Sequence, residues 1–286
     1  MLVSVIGLGL IGGSIGLALR RGRDRKWQVV GYSRRQETVA TALRLGAIDR
    51  GETNLRDAVK QADLVIIATP VLTIKEILPG MAPHLPAGCI VTDVASTKVK
   101  VMRWAEEMLP PTVDFVGGHP MAGKETYGVQ AADADLFRDC VYCLTPSQKA
   151  SRESVDTVVG MVKKLGGMPF FIDAQEHDDF VAAVSHLPML VSAALVSSTT
   201  KNPSWSNKMS RLAASGYHDV TRLASGNPEV NADICLTNRE AIVKWIDEFI
   251  GELQRYRQLV ADGDRRLEEA LTEANKARQQ WLDRTR

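Results

Sequence analysis

Leu2-Val3-Ser4-Val5-Ile6-Gly7-Leu8-Gly9-Leu10-Ile11-Gly12 is the stretch that decides the fold. It opens as a short apolar run with the character of a buried strand. A G-x-G-x-x-G sequence follows at once, and a helical run over 14–20 comes directly after it. In that order the three glycines serve in turn a tight bend, close approach of a pyrophosphate, and packing of helix on strand. The helix N-terminus adds free N–H groups and the favourable end of a dipole for the anion. Gly7, Gly9, Leu10, Ile11 and Gly12 are therefore the first candidate cofactor-binding residues.

Outward from this stretch, apolar strand candidates recur at 28–32, 64–68, 90–92, 114–116, 141–145 and 168–172. Helical periodicity lies between most of them, at 37–45, 74–81, 99–108 and 153–165. Such alternation predicts a mainly parallel sheet with helices on its faces. After Asp173 the strand signals stop and helices are expected at 174–199, 207–214, 231–253 and 264–282, the first interrupted at Pro188. The expected fold class is α/β: a Rossmann-type dinucleotide-binding domain over 1–173, then an all-helical domain over 174–286. A helix apolar on nearly all sides must be covered, so the helical half is expected to supply substrate-site residues and a homodimer interface. Ser192, Ala193 and Ala194 permit close helix packing there.

Composition narrows the function classes. A net charge of +1 argues against a nucleic-acid partner. The run 181–196 is broken by Ser185, His186 and Pro188, so no membrane span is expected. The chain enters a strand from its first residues, which leaves no room for a leader and points to the cytoplasm. Cys89, Cys140, Cys143 and Cys235 form no disulfide framework. Cys140 and Cys143 have redox or zinc-knuckle spacing, but in a strand-like run they point to opposite faces, and no second pair or His cluster is near, so they read as two sheet cysteines and no metal is expected.

The end of the second strand selects the cofactor. NAD-binding versions place Asp or Glu about 20 residues beyond the glycines to hold the ribose hydroxyls. Here the strand ends Tyr32-Ser33-Arg34-Arg35, with no carboxylate. A hydroxyl and two guanidinium forks suit a 2′-phosphate, which predicts NADP over NAD. Later strand tips face the same crevice. These are Thr69-Pro70 and Asp93-Val94-Ala95-Ser96-Thr97-Lys98, where Ser96 reads as a helix N-cap, an active-site hydroxyl, or both. The next is Gly117-Gly118-His119-Pro120-Met121-Ala122-Gly123, a glycine-flanked loop presenting one imidazole able to exchange a proton near neutral pH. Met121 is assigned to the cofactor.

Two motifs interrupt the helical half. Ser185-His186-Leu187-Pro188 places a buried histidine beside a proline. The polar segment from Ser215 to Arg222, leading into Ser225-Gly226-Asn227-Pro228, suits a substrate-binding arginine. His84 and His177 read as solvated, and His218 as a packing or capping residue.

Taken together, Gly7–Gly12, DVASTK at 93–98, GGHPMAG at 117–123, SHLP at 185–188 and DVTRLASGNP at 219–228 resemble the prephenate/arogenate dehydrogenase family of tyrosine biosynthesis, over essentially the whole chain. The resemblance implies that His119 is the catalytic histidine that hydrogen-bonds the substrate's ring hydroxyl. Ser96 becomes its partner beside the nicotinamide. His186 and Arg222 become substrate-site residues, Arg222 binding a carboxylate from a buried position. It also implies a helical dimerisation domain. Ser33-Arg34 is similar to the NADP-using, arogenate-oxidising members, so the implied reaction is NADP-dependent oxidative decarboxylation of arogenate to tyrosine. Hydride leaves the hydroxyl-bearing carbon while His119 draws off the hydroxyl proton, and loss of CO2 then gives the phenol. Arogenate carries an ammonium where prephenate carries a keto group. Glu125 is placed to meet that ammonium, while Lys124 beside it could compensate Glu125 or bind a carboxylate itself. The alternatives are a prephenate or dual-substrate enzyme, a β-hydroxyacid dehydrogenase or pyrroline-carboxylate reductase, which commonly use a lysine of the helical domain or lack a histidine at this strand tip so that GGHPMAG speaks against them, or a non-enzymatic NADPH-binding sensor.

Overall fold

Apolar runs pair into strands, and the amphipathic runs between them become helices, from the first crossover onward. The computed structural model describes residues 1–22, 26–124 and 126–284, and of Pro203, Trp205 and Ser206 the backbone alone. The first crossover is β1 (Leu2–Ile6), α1 (Leu10–Arg20) and β2 (Gln28–Tyr32), followed by α2 (Gln36–Arg44) and β3 (Arg50–Glu52). Then come α3 (Leu55–Val59), β4 (Leu64–Ile67), α4 (Val71–Met81), β5 (Ile90–Asp93) and α5 (Val99–Met108). β6 (Asp114–Pro120), β7 (Val141–Pro146), α6 (Arg152–Leu165) and β8 (Met168–Phe171) complete the sheet. Its order is β3-β2-β1-β4-β5-β6-β7-β8, parallel throughout except between β6 and β7.

Helices cover both faces, so the central strands are apolar on both. Leu64 and Ile66 of β4 join one core with Val3, Val5 and Ile15, while Val65 and Ile67 join the other with Ile6, Ile74 and Val91. The chain order reverses between β1 and β4, which opens a crevice at their carboxyl ends. Gly7 takes φ +103° there, a conformation that favours glycine.

Several expectations are corrected. The strand expected to end at 116 runs on to Pro120, so Gly117, Gly118 and His119 are buried sheet residues and not a loop tip. The two glycines serve close packing. A Cβ on Gly117 would lie 2.7 Å from the Met102 sulfur, and one on Gly118 2.5 Å from the Asp93 carbonyl oxygen. The short β3 was not foreseen, because Arg50-Gly51-Glu52 has no apolar signature.

In the helical half, α7 (Ala174–Val181) passes through a π turn at Ala182–His186 into α8 (Leu187–Thr200) with no interruption at Pro188. The proline follows the π turn closely, and the local widening of that turn accommodates its ring and its missing N–H. The joined helix is long and apolar enough to cross a membrane by length and composition, contrary to the expectation from its breaks. Its first half is pinned beside the sheet by the buried His177, Asp178 and His186. Next come α9 (Pro203–Met209), α10 (Ser215–Thr221), a 3-10 turn at Arg222–Ser225, and α11 (Pro228–Thr237). The segment from Ser215 to Arg222 is thus helical. The helix expected over 231–253 breaks at Asn238, after which α12 (Arg239–Ala261) and α13 (Arg266–Arg284) follow.

Packing divides the chain into two compact units, Met1–Arg239 and Glu240–Arg286. The helices from α7 to α11 belong with the sheet because polar contacts tie them to its strand tips. Asp233 accepts the Leu72 N–H at 3.2 Å, and the Thr97 and Thr237 hydroxyls meet at 3.0 Å.

Candidate active site

The site begins with Asp93, the last residue of β5. Its Oδ1 accepts the Gly118 N–H at 3.0 Å and its Oδ2 accepts the Ala95 N–H at 2.8 Å. Lys98 closes a fully buried ion pair with it. This cluster locks the tip of β5 to β6 one residue before His119.

His119 is buried, with 7% of its surface exposed. Its Nδ1 lies 2.9 Å from Nε2 of His177, and the rings meet edge to face with centroids 5.1 Å apart. His177, expected to be solvated, is 1% exposed. Its Nδ1 lies 2.8 Å from Oδ1 of Asp178. Asp178 in turn accepts the Lys98 N–H at 2.6 Å and the Val99 N–H at 2.9 Å. These are free N–H groups of the first turn of α5, which Lys98 begins without a side-chain cap. Asp178 therefore supplies across the fold the capping that was one reading of Ser96. The carboxylate is also favoured at that end of the helix dipole. Ser96 is half-buried in the loop before α5, and its hydroxyl has no hydrogen bond among the described residues.

The direction of the chain sets the tautomers. A carboxylate only accepts, so with a neutral ring His177 donates from Nδ1 and accepts at Nε2. His119 must then donate from Nδ1, which leaves its Nε2 as an acceptor, the form a general base needs. Burial, reinforced by the nearby His177 and Lys98, holds His119 well below the usual imidazole range. The site therefore keeps His119 neutral and ready to accept a proton.

His186 lies in the π turn, 1% exposed. Burial pushes its pKa down to about 4, against an opposing pull from Asp178. Its Nδ1 is 3.3 Å from the Asn238 side-chain nitrogen, and its Nε2 has no partner among the described residues. Leaving such a group unpaired costs about 1–3 kcal/mol, a cost that a bound substrate oxygen removes.

Both neutral histidines make the protein acid-sensitive. The folded pKa of His186 lies below the unfolded value, so its stabilising effect is complete above pH 6.5 and lost as pH falls toward about 4. For His186 alone the loss between pH 7 and pH 4.5 is about 2 kcal/mol. Urea unfolding at pH 7 and pH 4.5 measures it. An unchanged midpoint overturns the assignment of a buried neutral imidazole.

The nucleotide crevice suits a dinucleotide. Among the described residues an added Cβ on Gly9 meets nothing within 4 Å, so space stands open above the glycine loop. Thr69 faces Gly7, and its buried hydroxyl has no partner among the described residues. Pro70 begins α4 as its N-cap. Leu10, Ile11 and Gly12 form the first turn of α1. The Ser33 hydroxyl accepts the Arg35 N–H at 3.2 Å, and Arg34 and Arg35 stand exposed at the start of α2. Met121 follows β6 and is 36% exposed.

The remaining candidates are dispersed. Lys124 pairs with Asp133 at 2.7 Å, so its charge is matched there. Glu125 lies outside the described residues. Arg222 was expected to be buried, but in the single chain it is exposed at the start of its 3-10 turn. His177, Asp178 and Asn238 were missed. The signal for the first two was an adjacent His-Asp pair at a helix start, easily read as a solvated face.

A doubly wound sheet with a glycine-loop crevice and a buried neutral imidazole defines a pyridine-nucleotide-dependent oxidoreductase. Residues 15–169 match the nucleotide-binding domain of prephenate dehydrogenase, and residues 173–274 its dimerization domain. The chain belongs to the prephenate dehydrogenase family. It is 38% identical to prephenate dehydrogenase of Bacillus subtilis, over 92% of this chain and 71% of that one. Synechocystis arogenate dehydrogenase shares 31% identity and superposes with a TM-score of 0.81, covering 98% of this chain and 100% of that one. Prephenate dehydrogenase from A. aeolicus, in complex with hydroxyphenyl propionate and NAD+, shares 31% identity with a TM-score of 0.89 and 98% coverage of both chains. The sensor reading of the sequence is set aside by this membership.

Proposed function

We propose that this protein catalyses NADP-dependent oxidative decarboxylation of arogenate to tyrosine, as a cytoplasmic homodimer. One observation carries the chemistry: the buried chain of contacts from His119 through His177 to Asp178, whose donor direction, argued from the carboxylate end, leaves the His119 Nε2 lone pair for the substrate's hydroxyl. His119 accepts that proton as the carbon–hydrogen bond at the same centre breaks. The resulting imidazolium passes its stabilisation through His177 to the Asp178 carboxylate. When bound, the nicotinamide supplies the hydride acceptor, and CO2 then leaves from the opposite ring carbon to give the phenol. Gly7, Gly9, Gly12, Thr69 and Ser96 are our candidates to hold the nucleotide beside the substrate. His186 would donate from Nε2 to a substrate oxygen, and Arg222 is the candidate for a carboxylate.

Exposed Arg34 and Arg35 next to Ser33, with no acid at the strand end, support NADP. Glu125 supports arogenate through the charge of its ammonium group. Because Lys124 is matched by Asp133, it is not needed to neutralise Glu125. We keep 1–173 as the nucleotide-binding part and 174–286 as the helical part that joins two copies. The uncovered apolar side chains of α8 support the second role, since such a helix needs cover. The four free thiols suit a reducing compartment.

Four parallel assays, arogenate and prephenate each with NAD and NADP, test the proposal at 340 nm. The expected result is the highest kcat/KM for arogenate with NADP. Arg34→Asp should lower kcat/KM for NADP by about tenfold or more, the loss of one charge-assisted phosphate contact. A clear preference of the unmodified enzyme for NAD overturns the cofactor reading, and one for prephenate overturns the substrate reading.

A further inference from the structure

We propose that Asn238 is a positioning residue that holds His186 in the Nε2–H tautomer, so that one site histidine donates while the other accepts. The inference rests on the reading of His186 as a substrate-facing group. It starts from a side-chain amide whose orientation is settled by its partner. The Asp178 carbonyl oxygen can only accept, so the Asn238 atom 2.7 Å away must be the nitrogen. The same nitrogen lies 3.3 Å from Nδ1 of His186. An amide nitrogen can only donate, so in this hydrogen bond the ring atom must carry the lone pair. The His186 proton is left on Nε2, the buried atom without a partner among the described residues.

Asn238 is well built for this work. It is 6% exposed and ends α11 at φ −120°, ψ 39°, with its N–H on the Ile234 carbonyl at 3.0 Å. The adjacent Thr237 hydroxyl bonds back to the Asp233 carbonyl at 2.7 Å and to Thr97. The helix break at Asn238 thus aims a rigid amide at the segment that carries both histidine networks. Asp178 serves the two at once: its carboxylate orders His177 and His119, and its carbonyl orders Asn238 and His186. The titratable groups facing His186 are Asp178 and His177 from α7 and His119 from β6. Asn238 can bias the tautomer without adding a charge among them.

Long-range 15N–1H correlation spectra of the 15N-histidine-labelled full chain, with His186 assigned by loss of its signal in His186→Gln, read the tautomer directly. The proposal expects an unprotonated Nδ1 and a protonated Nε2 at pH 7; a protonated Nδ1 overturns it. Asn238→Asp is the functional arm. A carboxylate there draws the proton to Nδ1 and strips the donor from Nε2. KM for the cyclohexadienol substrate should rise by about tenfold or more at pH 8, with kcat changed far less. It should fall again toward pH 6, as His186 in the variant takes up a second proton and regains its Nε2–H. A merely structural role gives no such rescue by acid, and a KM that rises equally at both pH values overturns the proposal. If Asn238→Asp does not fold, the wild-type spectrum decides alone. The spectrum needs no substrate, so inactivity on both arogenate and prephenate sinks the proposed reaction and leaves the tautomer assignment standing.

Discussion

His119→Asn lowers kcat by about 10²- to 10⁴-fold, the range a positioned general base contributes, with substrate and cofactor binding nearly unchanged. Asparagine is chosen because its amide nitrogen can take the place of Nδ1 and still donate to Nε2 of His177. The buried chain to Asp178 then survives, and only the acceptor facing the substrate is lost. The loss should be seen equally in kcat and kcat/KM. In the unmodified enzyme, kcat/KM should hold as pH drops through 6.5 and decline only well below it, because burial keeps the base form of His119. Turnover by His119→Asn within a few fold of the unmodified enzyme removes His119 from the chemistry.

The second large effect is on folding. Lys98→Met keeps the stem and deletes the charge that matches Asp93, leaving a fully buried carboxylate with backbone N–H donors but no counter-ion. Breaking such a pair from one side costs about 3–5 kcal/mol. The free energy of urea unfolding should fall by that amount. Lys98 also helps to hold the His119 pKa down. Without it, imidazolium is less disfavoured, so the acid limb of kcat/KM moves to higher pH. A loss of stability under about 1 kcal/mol shows that Asp93 relies on its backbone donors instead.

The glycines of the two main motifs show how far local reading reaches. For Gly7 the sequence argument and the structure coincide, since a positive φ after a strand is a local property. Gly117 and Gly118 read in sequence as the flank of a loop, whereas both lie inside β6. What excludes a side chain there is the Met102 sulfur and the Asp93 carbonyl, supplied by other elements of the sheet. The helices behave alike. Val99–Met108 agrees with its periodicity, whereas the break at Asn238 was invisible because apolar spacing continues across it.

The sequence by itself determined the alternation of strand and helix, the nucleotide loop and the family, because each depends on residues close together along the chain. Only the tertiary structure decided the state of the catalytic imidazole. His119 meets His177 across 58 residues, and Lys98 meets Asp178 across 80. Which nitrogen holds a proton depends on those partners and on the exclusion of water, and neither is written in local spacing.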